Sequence, residues 1–185
     1  MHHLMLDIET LDVTPSAVIL AVAAVFFDPK TGELGAEFDV AVNCQQEQPG
    51  RTISLEIVAW WAKQSDDARK LAFGGTESLK RVLTGLSRFI HINSTDTVKV
   101  WGNGKEFDCV ILEHAFKQLG MPCPWNFWDT QDVRTIITLA ELNGFNPKKQ
   151  RAFEGTPHRA LDDAKHQARY VADTISALYH RKGVS

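Results

Sequence analysis

The sequence predicts a mixed α/β fold: one sheet made of an antiparallel three-strand meander plus parallel strands, flanked by helices. Three observations predict it. Three apolar, β-rich segments come first, HLMLDIE, AVILAVAAVFFD and EFDVAVN. From Ser54 the pattern changes to helical spacing, and a further strand candidate, TVKVWGN, then lies among helices. A meander followed by an α/β half favours one sheet with helices packed on it. At 185 residues and 44% apolar, the chain is long enough for one substantial core and too short for two, so residues 1–185 are read as a single domain.

The elements follow in order. PKTGE, between the second and third strands, supplies turn chemistry. SLEIVAWWAKQ has apolar residues at helical spacing behind Ser54, a candidate cap, and TESLKRVLTGLSRFIHI is a longer amphipathic helix with Thr76 as its candidate cap. After TVKVWGN, KEFDCVILEHAFKQLG reads as a helix ending at Gly120 and DVRTIITLAELNG as another ending at Gly144. The last helix should run from about Pro157 to His180. Residues Asn146 to Pro157, NPKKQRAFEGTP, are polar, basic and closed by Gly and Pro, which predicts a loop. There is no internal repeat and no low-complexity tract.

Composition narrows the setting. A formal charge of −3 and a pI near 6.1 argue against an electrostatic nucleic-acid coat, while leaving room for a local basic rim. Cys44, Cys109 and Cys123 form no close pair, and their odd number fits a reducing cytoplasm. Their spacing also argues against a zinc module. No stretch approaches the ~18 uninterrupted apolar residues of a membrane span, so no membrane partner is expected.

LDIET places Asp7 and Glu9 one residue apart on the first strand. Side chains of a strand alternate between faces, so the two carboxylates project together and repel unless a cation neutralises them. Two more acids follow, Asp108 in NGKEFD and Asp163 in HRALDDA, the latter five residues after His158. On these three motifs the chain resembles the DEDD superfamily of 3′-to-5′ exonucleases in its histidine branch, DEDDh, and is similar to its ribonuclease T-like and phage exonuclease members. The motifs span nearly the whole chain. DIET alone would be weak; the three in order are specific. The tyrosine branch needs Tyr four residues before the last Asp, where this chain has Arg159.

The resemblance implies a ribonuclease H-like fold and a metal-dependent exonuclease that releases nucleoside monophosphates from single-stranded RNA or DNA 3′ ends. Phosphodiester hydrolysis needs an activated water and two stabilised oxygens, which two divalent ions can supply. Hard ions such as Mg2+ or Mn2+ want oxygen ligands. The resemblance implies that Asp7 bridges both ions, that Glu9 and Asp163 complete one site, that Asp108 supports the other, and that His158 deprotonates the attacking water. An imidazole with its unperturbed pKa near 6.5 suits that task. Of the adjacent Asp162 and Asp163, the family spacing selects Asp163.

Thr10, Trp61 and Asn103 are the candidate substrate contacts. Adjacent helix residues point about 100° apart, so of Trp60 and Trp61 at most one ring sits squarely in the core. Trp61 either stacks on a substrate base or packs. Asn103 orients substrate or shapes its turn. Lys148, Lys149, Arg151 and Arg159 flank His158 and either meet phosphates or line a solvated loop. A homodimer is implied by the ribonuclease T-like resemblance. Two competing readings stand beside this one. A ribonuclease H-like endonuclease has no need of HRALDDA, and a catalytically silent nucleic-acid-binding domain would have lost one of the acids.

Overall fold

The computed structural model describes residues 1–94 and 96–180. Strands β1 (His3–Thr10), β2 (Ile19–Phe27) and β3 (Leu34–Ala41) pair antiparallel in sequence order, as the meander predicts. β4 (Lys99–Gly102) joins the free side of β1 in parallel, and β5 (Thr130–Asp132) joins β4 in parallel. Across the sheet the order is β3-β2-β1-β4-β5, which puts β1 at the centre. The sequence analysis does not anticipate β5, because TQD carries no apolar alternation and becomes a strand only by pairing with Val100 to Gly102.

The two-residue period divides the core. Leu4, Leu6 and Ile8 of β1 face α3 (Leu79–Asn93) and α4 (Lys105–Gln118). Met5 faces the other way, toward α5 (Val133–Leu142) and α7 (Ala160–His180), where it meets Ile137, Ala164 and Val171. With helices on both faces β2 is buried along its whole length, which accounts for its unbroken apolar run. A smaller cluster of Leu11, Leu20, Trp61, Ala68 and Ala72 seats α1 (Leu55–Trp61) and α2 (Asp66–Phe73) at the far end of β1.

Two helix starts and two added helices differ from the sequence reading, each for a local reason. Ser78 rather than Thr76 caps α3, its hydroxyl accepting from the Arg81 N–H. α2 is an addition: Ser65 accepts from the Ala68 N–H, and Asp66 and Asp67 favour its first turn electrostatically. The expected loop contains one helical turn, α6 (Pro147–Gln150), capped by the Asn146 side chain. α7 starts at Ala160 rather than Pro157 because His158 is left-handed, with φ 64°, which no α-helix accommodates. The expected stops hold, with Gly120 and Gly144 left-handed after α4 and α5.

Candidate active site

Asp7 and Glu9 alternate with Leu6 and Ile8, so their carboxylates lie on the α7 side of the sheet. Their neighbours across on β2 are Ala23 and Ala21. Small side chains there leave space for two acids between the sheet and α7.

Asp108 arrives from the opposite layer. The body of α4 packs with Leu6 and Ile8, yet its first turn begins at the carboxyl end of β4, beside β1. β1 and β4 pair only as far as Met5 and Trp101. Past that point the Ile8 N–H donates to Asp108 Oδ1 at 3.2 Å and the Asn103 N–H to Oδ2 at 3.1 Å. Asp108 thus closes the gap where two parallel strands part, the position at which open α/β sheets present their sites. Gly102 makes the approach possible, since a Cβ there would lie 3.1 Å from Asp108 Oδ2.

The start of α7 supplies the remaining groups. The His158 backbone N–H donates to Asp163 Oδ2 at 2.7 Å, whereas Asp162 Oδ2 accepts from the Thr156 N–H at 2.9 Å and ties down the preceding loop. The two adjacent acids are thereby sorted: Asp163 faces the centre and Asp162 serves the loop. Glu9, His158 and Asp163 each offer a metal-ligand atom within 4.8 Å of the others. The four acids and His158 singled out in the sequence therefore converge.

Gln167 was not singled out. It lies four residues after Asp163 on α7, and its Nε2 donates to Asp7 Oδ1 at 2.7 Å. The i to i+4 spacing from Asp163 is the signal that could have found it.

Burial dominates the electrostatics. It raises Asp7 and Glu9 well above the usual carboxylate range, and the surrounding acids push in the same direction. Asp108 is raised to about 7 by burial, against the pull of the Ile8 and Asn103 donors. Burial also raises Asp163, partly offset by the His158 N–H. Four carboxylates so placed resist carrying four charges together. The donor set is oxygen and imidazole, the chemistry that hard divalent cations select, and the thiols of Cys44, Cys109 and Cys123 take no part in the cluster.

Two of the candidate substrate contacts need correction. Trp61 is 2% exposed, and its indole N–H donates to the Thr10 carbonyl at 2.9 Å, so its ring is core and cannot stack on a base. The accessible ring is its neighbour Trp60, 39% exposed and 4.8 Å from the His158 ring in a T-shaped pair. Thr10 is also buried, its hydroxyl committed to the Asp12 carbonyl at 2.6 Å. Asn103 does stand at the site, with Oδ1 buried and without a hydrogen-bond partner among the described residues.

The basic set divides as well. Arg151 forks onto Asp173 at 2.6 and 2.9 Å, and Arg159 binds Asp39 at 2.8 Å. Lys148 instead places Nζ 5.5 Å over the ring of Tyr170, and the exposed Arg134 lies against Gly104, next to Asn103. Neither forms an ion pair among the described residues. A cavity of about 160 Å³ opens beside His158, lined by Glu9, Ala21, Asp39, Leu71 and Arg159.

Comparison with known proteins places this geometry. The sequence profile of the 3'-5' exoribonuclease Rv2179c-like domain matches residues 2–175. An exodeoxyribonuclease of Enterobacteria phage T4 is 25% identical, with 74% of this chain and 71% of the relative covered. Among solved structures, the nuclease domain of 3'hExo, a DEDDh family member, bound to rAMP, aligns with a TM-score of 0.61 at 16% identity, covering 95% of this chain and 92% of that one. The Mg2+- and Mn2+-bound form of S. pombe Pop2p aligns at 0.64 and 14% identity, covering 100% and 86%. The mixed sheet with helices on both faces is the ribonuclease H-like fold that the motifs imply.

Proposed function

Since the chain belongs to the family of 3'-5' exoribonuclease Rv2179c-like domains, we propose that it releases nucleoside monophosphates from single-stranded RNA or DNA 3′ ends by hydrolysis assisted by two Mg2+ or Mn2+ ions. The enzyme class, a 3′-to-5′ exonuclease hydrolysing phosphodiesters, follows from the family. The observation that carries the finer reading is the meeting of Asp7, Glu9, Asp108 and Asp163 from three distant segments beside His158.

In this reading Asp7, Glu9, Asp108 and Asp163 would together hold the ions, with Asp7 shared and Asp108 supporting from the start of α4. When bound, the ions supply Lewis-acid stabilisation of the attacking and leaving oxygens. His158 takes the proton of the attacking water, and its backbone bond to Asp163 holds the imidazole at the acids. Trp60 offers a face to the terminal base. Lys148 and Arg134, which form no ion pair among the described residues, meet substrate phosphates. Residues 1–185 act as one domain. The reading includes a homodimer, supported by the exposed aromatic pair Phe127 and Trp128, and a reducing, cytoplasmic setting, supported by three unpaired cysteines. Among the described residues no helix is long and apolar enough to cross a membrane.

The test is incubation of the purified protein with 5′-labelled single-stranded DNA and RNA, with Mg2+, Mn2+ or chelator. A ladder shrinking from the 3′ end, dependent on metal and absent in Asp7→Asn, is the expected result. Cleavage of a circular strand would establish the endonuclease instead, and no products from wild type would leave a binding domain. Comparing the two polymers separates RNA from DNA, on which the family description and the phage relative differ.

A further inference from the structure

We propose that Gln167 is a positioning residue of the metal centre: its amide N–H fixes the orientation of Asp7 and its Oε1 accepts a hydrogen bond from water at the ion site. The inference rests on the functional reading above and adds to it a residue outside the sequence motifs.

Gln167 is 5% exposed, and its Nε2 lies 2.7 Å from Asp7 Oδ1. Its Oε1 is buried and has no hydrogen-bond partner among the described residues. A buried carboxamide ordinarily satisfies both ends, and leaving an acceptor unmet is costly. The two ends share one carbon, so the unmet oxygen sits beside the carboxylate that the other end holds. An acceptor in that position suits a donor that arrives with the ions, namely one of the waters completing their coordination.

The residue type fits the task. Asp7 is half-buried beside Glu9, Asp108 and Asp163 and, among the described residues, receives one side-chain hydrogen bond, the one from Gln167. A lysine or arginine here would hold Asp7 as well, but its charge would compete with the cations for the cluster. A glutamate would add a fifth negative charge. Glutamine donates without charge, and by engaging Oδ1 it leaves Oδ2 and the remaining Oδ1 lone pair for the ions. Outer partners of this kind orient metal ligands, and their loss typically weakens metal affinity or activity about 10- to 100-fold. A residue needed only to fill space between α7 and β1 would be replaceable by an apolar side chain of equal reach.

That contrast is the experiment. Gln167→Met keeps length and volume and removes both polar ends; Gln167→Leu is the second variant. Mn2+ binding is measured without substrate by calorimetry and by electron paramagnetic resonance, alongside thermal melting in chelator and the kcat and KM for a short oligonucleotide. The expected result is a Mn2+ affinity lowered roughly 10- to 100-fold and a lower kcat, with oligonucleotide KM and chelator Tm near wild type. Mn2+ affinity within twofold of wild type overturns the proposal, with or without a fall in Tm. Failure of both variants to fold also overturns it, by making Gln167 a structural residue. A wild-type protein that binds Mn2+ yet hydrolyses nothing would sink the functional reading alone, because the binding comparison does not depend on turnover.

Discussion

Ile8 and Asp108 are 100 positions apart and joined by one hydrogen bond, from the Ile8 N–H to Asp108 Oδ1 at 3.2 Å. The bond lies where β1 and β4 part, so the site depends on how closely the start of α4 can approach the central strand. Gly102 sets that approach. In Gly102→Ala the new Cβ would stand 3.1 Å from Asp108 Oδ2 and 3.3 Å from Lys105 Cα, which pushes the carboxylate off its two backbone donors. The expected outcome is a kcat lowered roughly ten- to a hundredfold, with a stability loss of about 1–3 kcal/mol from overpacking. Steady-state kinetics and urea denaturation measure the two. Unchanged kcat would mean that Asp108 is not required at this position.

His158→Ala should lower kcat by roughly two to four orders of magnitude, the usual worth of a positioned general base. Affinity for Mn2+ should change little, since the four carboxylates remain. Near wild-type turnover at neutral pH would reduce His158 to a loop residue.

The raised carboxyls make a pH prediction with a definite sign. A carboxyl whose folded pKa exceeds its unfolded value favours the folded state when protonated. Its contribution is complete below the unfolded value of about 4 and is lost as pH rises through the folded value. Asp7, Glu9 and Asp163 are raised, and Asp108 is raised to about 7. In chelator the melting temperature should therefore fall as pH climbs from about 5 to about 8. Mg2+ should restore more at the upper end, where the cluster is ionised. Asp129, held low by Lys99, acts in the opposite sense as pH falls, so the test stays above about pH 4.5. A flat profile in chelator would show that the cluster is not strained by its own charge.

The adjacent tryptophans should separate function from stability. Trp60→Ala should weaken binding of a single strand by about 1–3 kcal/mol, read as a higher KM at unchanged Tm. Trp61→Ala removes a buried ring and its bond to the Thr10 carbonyl, and should cost about 3–5 kcal/mol of stability. Equal KM for wild type and Trp60→Ala would remove the stacking role.

The parts of the site legible in the sequence are those with a short-range signature. The pairing of Asp7 and Glu9 follows from strand alternation, whereas Asp108, His158 and Asp163 are picked out by the short motifs NGKEFD and HRALDDA, on which the family resemblance rests. What escaped depends on contacts that sequence distance conceals. Which of Trp60 and Trp61 faces out is decided by packing against Leu20 and Ala72. Thr10 belongs to a motif, yet its hydroxyl is taken by Asp12 two residues on. β5 exists only through pairing with β4. The start of α7 was misplaced because His158 adopts a left-handed backbone that residue type alone does not announce.

The bond between Gln167 and Asp7 spans 160 positions. It joins the first strand of the sheet to the last helix of the described chain, and this bears on when the enzyme can act. A growing polypeptide presents Asp7 and Glu9 early but lacks His158 and Asp163 until α7 has emerged and docked. Contacts of such long sequence separation form late in folding. The site is therefore incomplete until α7 has docked against β1, and the order of assembly sets when catalysis can begin.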